Sequence, residues 1–205
     1  MNYPSRLIED AVNAFSRFPG IGKKTALRLT LHLLRQEEGE ALQLAEAVSR
    51  LATKITYCKK CNNISDASLC QICSNGSRNQ SLVCVVADMR DVIAIEQTGQ
   101  YHGLYHVLGG LIAPMDGVGP EQLKIDSLLE RLALGEVGEV LLAFSATMEG
   151  DTTAFYLARK LQNWPEVKIS TIARGIAIGG ELEYADEITL GRSIQQRIPF
   201  QSFGG

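Results

Sequence analysis

An α+β chain of several domains is the fold class that the sequence predicts, and three observations predict it. The first sixty residues carry apolar positions at helical spacing. Beyond residue 81, short apolar runs alternate with amphipathic segments. Between the two regions lie four cysteines in two Cys-x-x-Cys pairs, Cys58 with Cys61 and Cys70 with Cys73. A length of 205 residues accommodates one large domain or two small ones. With 45% hydrophobic and 21% charged residues the composition is that of a folded chain, which excludes wholesale disorder.

Nothing in the chain approaches 18 consecutive apolar residues, so no membrane span is expected. Residues 1–18 carry charges throughout and lack the apolar run of a signal peptide, which points to a cytoplasmic location. The net charge of −3 alone speaks against a nucleic-acid partner, but its distribution does not. Residues 1–60 hold ten Lys/Arg against six Asp/Glu, a balance of +4, and the remainder carries −7. A basic N-terminal surface able to meet phosphate follows from that asymmetry.

The elements follow in order. Ile8, Ala11, Val12 and Phe15 fall at i, i+3, i+4 and i+7 and predict a first helix. It stops at Phe18-Pro19-Gly20-Ile21-Gly22, and Ala26, Leu29, Thr30 and Leu33 begin a second helix that runs to about Arg35. Two helices joined by Pro-Gly-x-Gly match the helix-hairpin-helix pattern. Gly20 and Gly22 would let a backbone approach closely, and the second helix would point unpaired N–H groups and its positive dipole end at a phosphate. Lys23, Lys24 and Arg28 surround that helix start as cationic partners for DNA or RNA. The plainer reading is a tight helix-helix turn with solvated lysines. A third helix places Ala41, Leu44, Ala45, Val48, Leu51, Ala52 and Ile55 on one face, a stripe expected to pack in the core. His32 is expected to be a surface or packed histidine.

The four cysteines have the spacing at which two knuckles converge on one tetrahedral ion. Four thiolates fill the coordination shell, so a zinc there would be structural and would supply much of the folding free energy of the short loop between the pairs. Cys84, inside the apolar run Leu82-Val-Cys-Val-Val86, reads as a buried small hydrophobe.

From residue 81 the pattern is βαβ: strands over 82–86, 105–109, 140–144 and 168–173, and helices over 91–97, 121–134 and 149–162, with a Gly/Pro-rich loop over 113–120. Alternation of this kind implies a mostly parallel sheet with right-handed crossovers and ligands beyond the strands' carboxyl ends. There Glu149 and Asp151 flank a glycine and could hold Mg²⁺, or could simply favour the first turn of a helix. No phosphate-cradling glycine motif accompanies them, and His102 and His106 have no partner residues that assign them a role.

Taken together, these residues resemble the RecR family of recombination mediators from about Leu7 to Pro199. The pieces that carry the resemblance are Phe-Pro-Gly-Ile-Gly at 18–22, the four cysteines with Cys70-Gln-Ile-Cys-Ser-Asn, Ala-Ile-Glu-Gln-Thr-Gly at 94–99, Pro-Met-Asp-Gly-Val-Gly-Pro at 114–120 and Gly-Gly-Glu-Leu-Glu-Tyr-Ala-Asp at 179–186. The resemblance implies a helix-hairpin-helix region over 1–55, a four-cysteine zinc finger over 56–76, an α/β Toprim domain over 80–175 and a C-terminal loop and helix arm over 176–205. It implies recombinational DNA repair in the cytoplasm, at the nucleoid, with single- and double-stranded DNA as ligands. RecO and RecF would be partners in loading RecA onto single strands coated by SSB. It also implies a ring-shaped homotetramer around DNA, with a dimer as the smaller species in solution, and Lys23, Lys24 and Arg28 facing that DNA.

One departure bears on chemistry. Toprim enzymes carry a catalytic Glu at the end of the first strand, where this chain has Ala87 followed by Asp88. The second acidic motif survives as Glu149-Gly-Asp151, so a Mg²⁺ site is incomplete and no catalytic residue is assigned. Two functions from different classes follow: a non-enzymatic DNA-binding scaffold, and a Mg²⁺-dependent Toprim-type nuclease, topoisomerase or primase. The residues 192–205, with an apolar Ile198-Pro-Phe200, are expected to dock on a neighbouring subunit.

Overall fold

A computed structural model describes residues 3–198, Glu38 by its backbone alone; the expectation for Phe200 and the last residues of the tail lies outside the described residues. The chain divides into two compact units, Met1–Ile55 and Thr56–Gly205.

In the first unit, helix α1 (Arg6–Phe15) begins where the Ser5 hydroxyl accepts from the Leu7 N–H, an N-cap that satisfies one orphan donor. Helix α2 (Lys23–Leu33) packs on it, with Val12, Ala26 and Thr30 buried. Thr30 can be buried because its hydroxyl donates to the Ala26 carbonyl at 3.0 Å. Helix α3 (Glu38–Lys54) corrects an expectation. Leu44, Val48, Leu51 and Ile55 are 45–63% exposed, so the stripe read as core is an uncovered apolar face.

The second unit opens with a two-residue antiparallel pair, β1 (Thr56–Tyr57) and β2 (Ile64–Ser65), and a single helical turn, α4 (Gln71–Ser74). A four-stranded sheet follows, made of β3 (Asn79–Val86), β4 (Gly103–Val107), β5 (Glu139–Leu142) and β6 (Lys168–Thr171). Its order is β4-β3-β5-β6 and every pairing is parallel. Helices α5 (Met89–Gln97), α6 (Ile125–Ala133) and α7 (Met148–Leu161) make the crossovers, and α8 (Glu187–Gln195) lies beyond the sheet.

Strand periodicity sorts the core. Val83 and Val85 point to the face that α6 and α7 cover, where Leu128, Leu132, Leu157 and Leu161 are buried. Cys84 and Val86 point to the other face, with Val92, Tyr105 and Val107. Cys84 is a buried hydrophobe as expected, and burial pushes its thiol up to about 12.

The helix expected from residue 121 begins instead at Ile125. Pro120–Gln122 forms one tight 3-10 turn, and extended Leu123 breaks the run while its side chain enters the core. An apolar residue at helical spacing was delivered by a loop. The strands over 105–109, 140–144 and 168–173 end earlier than expected, at Val107, Leu142 and Thr171, although the Leu108 and Gly109 N–H groups still bond to the carbonyls of Val86 and Ala87.

His106 is fully buried, and its Nε2 lies 2.7 Å from the Lys124 carbonyl, which can only accept. Nε2 therefore carries the proton, and Nδ1 has no partner among the described residues. Burial lowers its pKa to about 4. The unfolded chain then binds a proton that the folded chain refuses, so stability falls as pH drops below the ordinary histidine value of roughly 6.5. Between about pH 7.5 and 5.5 His106 is expected to remove about 1 kcal/mol. Urea unfolding of the parent and of His106→Gln at both pH values checks this: the variant should lose correspondingly less.

Candidate metal centre and nucleic-acid interface

Two short turns bring the four thiols together. In the first, the Cys58 N–H donates to the Asn63 carbonyl at 2.8 Å and the Asn62 N–H to the Cys58 carbonyl at 2.9 Å. Asn62 makes this reversal in the left-handed region, at φ 60°, which asparagine tolerates better than most residues. In the second, Cys70 precedes α4 and its sulfur accepts from the Cys73 N–H at 3.4 Å. All four Sγ atoms lie within 4.8 Å of one another, Cys61 and Cys70 at 3.6 Å, and all four residues are buried as free thiols. A tetrahedral zinc with Zn–S bonds of about 2.3 Å places its sulfurs about 3.8 Å apart. The donor set fits that ion, with no open position for substrate. Hydrogen bonding from Cys61 lowers the Cys73 thiol, and the same contact, with burial, raises Cys61.

The cluster is fastened to the α/β body. The Val107 N–H, on the outer edge of β4, donates to the Cys61 carbonyl at 2.8 Å. The Asn62 amide reaches Ser127 Oγ at 3.0 Å, and Ile72 packs against both the cluster and the core behind the sheet.

In the first unit, the two glycines of the hairpin have different reasons to be glycine. Gly20 has φ +76°, a conformation that side chains resist. Gly22, the N-cap of α2, has an ordinary φ of −79°, and a Cβ there would meet nothing within 4 Å. Nothing inside the unit requires glycine at 22. Beyond the turn, Lys24, Arg28 and His32 recur along one side of α2 and, with Leu27, Leu31 and Arg35 just past the helix end, line a depression of about 340 Å³. Lys23 stands apart from this row, and its Nζ lies 3.4 Å from Asn13 Oδ1. The expected cationic triad is therefore divided.

Of the candidate acids, Glu149 and Asp151 share the first turn of α7, and Asp88 stands apart from them. Asp88 caps α5, accepting from the Arg90 N–H at 2.7 Å, and pairs with the Arg90 guanidinium. That pairing holds its pKa below the usual carboxylate range. It borders a cavity lined also by Tyr57, Asn62 and Lys124. Asp151, in the first turn of α7, borders a different cavity of about 870 Å³ between the ends of β5 and β6 and α8. It pairs with Arg174, which lowers its pKa. Among the described residues only the four cysteines group as metal ligands.

Comparison with known proteins fits these regions one by one. Residues 8–52 match the helix-hairpin-helix domain of RecR, 55–75 the four-cysteine zinc finger domain of RecR, 81–173 the Toprim domain and 175–198 the RecR C-terminal domain. A protein of Cytophaga hutchinsonii named recombination protein RecR is 57% identical over 203 residues, 98% of each chain. Proteins of the same name in Porphyromonas gingivalis and Bacteroides thetaiotaomicron are each 59% identical over 198 residues, covering 97% of this chain and 95% and 96% of theirs. The chain belongs to the RecR family. It is accordingly a mixed α+β protein with a structural zinc finger, and no helix among its described residues is long and apolar enough to cross a membrane.

Three residues of this RecR-family chain escaped the sequence reading. Arg35 continues the row of Lys24 and Arg28 at i+11 and i+7, a spacing that was there to be followed. Arg174, which pairs with Asp151, stands 23 positions away in the sequence and carried no local signal. Arg131 is buried in α6, three residues after Leu128 at the flank of the helix's apolar face, where a long charged side chain ordinarily reaches solvent.

Proposed function

We propose that this chain is a non-enzymatic DNA-binding mediator of recombinational DNA repair, acting with RecO and RecF to load RecA onto SSB-coated single strands at the nucleoid. The observation that carries DNA binding is the row of Lys24 and Arg28 on α2 with Arg35 just past its end, below a Gly22 that no internal contact requires. A phosphate backbone could approach the bare N–H groups at Gly22 and continue along the cations. Lys23 and Gly20 belong to the same surface as supports, Lys23 bracing α1 and Gly20 shaping the turn.

A chain of net charge −3 with one short basic row gains affinity by repeating the row in an assembly. The uncovered apolar face of α3 gives a second copy something to bury, which supports a homotetrameric ring or its dimeric half. Against enzymatic function stand Ala87 at the end of β3, Asp88 turned into a cap, and Asp151 neutralised by Arg174. Of the three candidate acids these leave only Glu149, exposed in the first turn of α7, as a ligand for Mg²⁺.

The test is DNA affinity of the parent and of Lys24→Ala/Arg28→Ala as a function of salt. Removing two phosphate contacts should lower the salt slope by about two and weaken binding on all sequences alike. An unchanged slope would move the DNA surface elsewhere. With Mg²⁺ present the bound DNA should be recovered uncut; cleavage that Asp151→Asn abolishes would replace the scaffold with the Toprim enzyme.

A further inference from the structure

Arg131 is the one arginine of α6, and it is buried, at 7% exposure. Its Nη1 donates to the Tyr105 carbonyl at 2.9 Å, and its Nη2 is buried with no partner among the described residues. The ion pairs among those residues join Arg78 to Glu96, Arg90 to Asp88, Lys168 to Glu139 and Arg174 to Asp151; none includes Arg131. Arg78 is also largely buried, and a carboxylate is built against it, with the Tyr105 hydroxyl adding a bond to the same Glu96. A buried guanidinium without such a partner is expensive, since desolvation is offset only by an opposite charge and filled hydrogen bonds.

Burial disfavours the charged guanidinium, and Cys73, ahead of Cys61, leads the groups that oppose that cost, with Glu136 the only carboxylate among them. The backbone explains how an arginine of the body comes to stand beside the knuckles. Tyr105 and Val107 are two apart on the outer strand β4, so their outward-facing groups lie on the same free edge. The Tyr105 carbonyl accepts from Arg131, and the Val107 N–H donates to the Cys61 carbonyl. One strand edge therefore holds the guanidinium and the knuckle side by side.

We infer that Arg131 is the counter-ion of the zinc centre, offsetting inside the protein the net negative charge that four thiolates leave around a divalent ion. Zinc would be held by the four cysteines alone; the arginine acts through them, lowering the electrostatic cost of keeping all four deprotonated in a buried site. It is a positioning residue for the metal, contributed by the Toprim-like body to a finger whose own lysines, Lys59 and Lys60, are not buried. The alternative is a purely structural tie, in which Arg131 serves only to occupy the Tyr105 carbonyl. Glutamine can make that bond without charge, and lysine supplies charge with a different donor geometry.

Parent, R131K and R131Q, each loaded with zinc, are challenged with excess chromogenic chelator. The same proteins loaded with Co²⁺ report the thiolate-to-metal charge-transfer band. R131Q should release zinc about 10–100-fold faster than the parent, the usual scale of a lost outer-shell partner. Its band should move to longer wavelength as the thiolates lose a stabilising positive charge, while R131K stays close to the parent in both. Parent-like release from R131Q overturns the inference, and so does an R131K that loses zinc as fast as R131Q. If R131Q does not fold, R131K decides: slow release supports the counter-ion, fast release refutes it.

Discussion

Removal of zinc should unfold the segment from Thr56 to about Asn75 and leave the sheet standing. The reason is the poverty of that segment without its ion. It owns two strands of two residues each, one helical turn of four, and a buried cluster consisting of the four cysteines with Ile72 against them. No other apolar side chain of the segment is buried. Structural zinc in comparable modules is worth about 10–16 kcal/mol of apparent binding free energy, far more than such a segment can recover from hydrogen bonds. The core between the sheet, α6 and α7 contains none of the cysteines, so it has no reason to follow.

Hydrogen exchange before and after chelation measures this directly. Protection should vanish in the finger, and at the Val107 N–H, whose acceptor is the Cys61 carbonyl. It should persist at the N–H groups of β3 and β5. Losing the finger also uncovers the edge of β4, so the chelated protein should aggregate more readily. Protection of residues 56–75 that survives complete loss of metal would show that the knuckles fold on packing alone.

How much of this was legible beforehand depended on how local each signal was. Cys-x-x-Cys spacing is a covalent constraint on two adjacent turns, so the metal centre could be read without knowing the fold. The parallel sheet was legible because Val83 to Val86 and Val140 to Leu142 are continuous apolar runs of strand length, buried on both faces. Helical periodicity was less dependable, since it reports that a face is apolar and not what covers it. The α3 stripe shows this, being apolar at the right spacing and exposed in the chain. The start of α6 failed for a related reason: Leu123 keeps the period while Pro120 sets up a turn that ends before the helix begins. The ion pairs at the acidic positions were out of reach, because Arg174 meets Asp151 only once β5 and β6 lie side by side.

A second large effect is expected from a single methyl group, in Gly150→Ala. Gly150 lies between the two acids, inside the first turn of α7 and buried. Helix propensity alone argues for the substitution, since alanine is better than glycine in a helix interior by about 1 kcal/mol. The site argues against it. A Cβ at 150 would stand 2.0 Å from the Ser145 carbonyl oxygen and 3.4 Å from the Phe144 Cβ. The first of these is backbone, so relief requires the loop 144–147 or the start of α7 to retreat by about 1 Å, which overpacked sites resist at about 1–3 kcal/mol or more. The Thr147 cap on the Gly150 N–H, at 3.2 Å, would be strained by the same shift. The collision outweighs the propensity, and a net loss of about 2–4 kcal/mol is expected in urea unfolding. The displacement should also reach Asp151, one residue on, and loosen its pairing with Arg174. A Gly150→Ala protein as stable as the parent would mean that the loop after β5 yields freely, and glycine at this position would then have to be explained by what approaches it from outside.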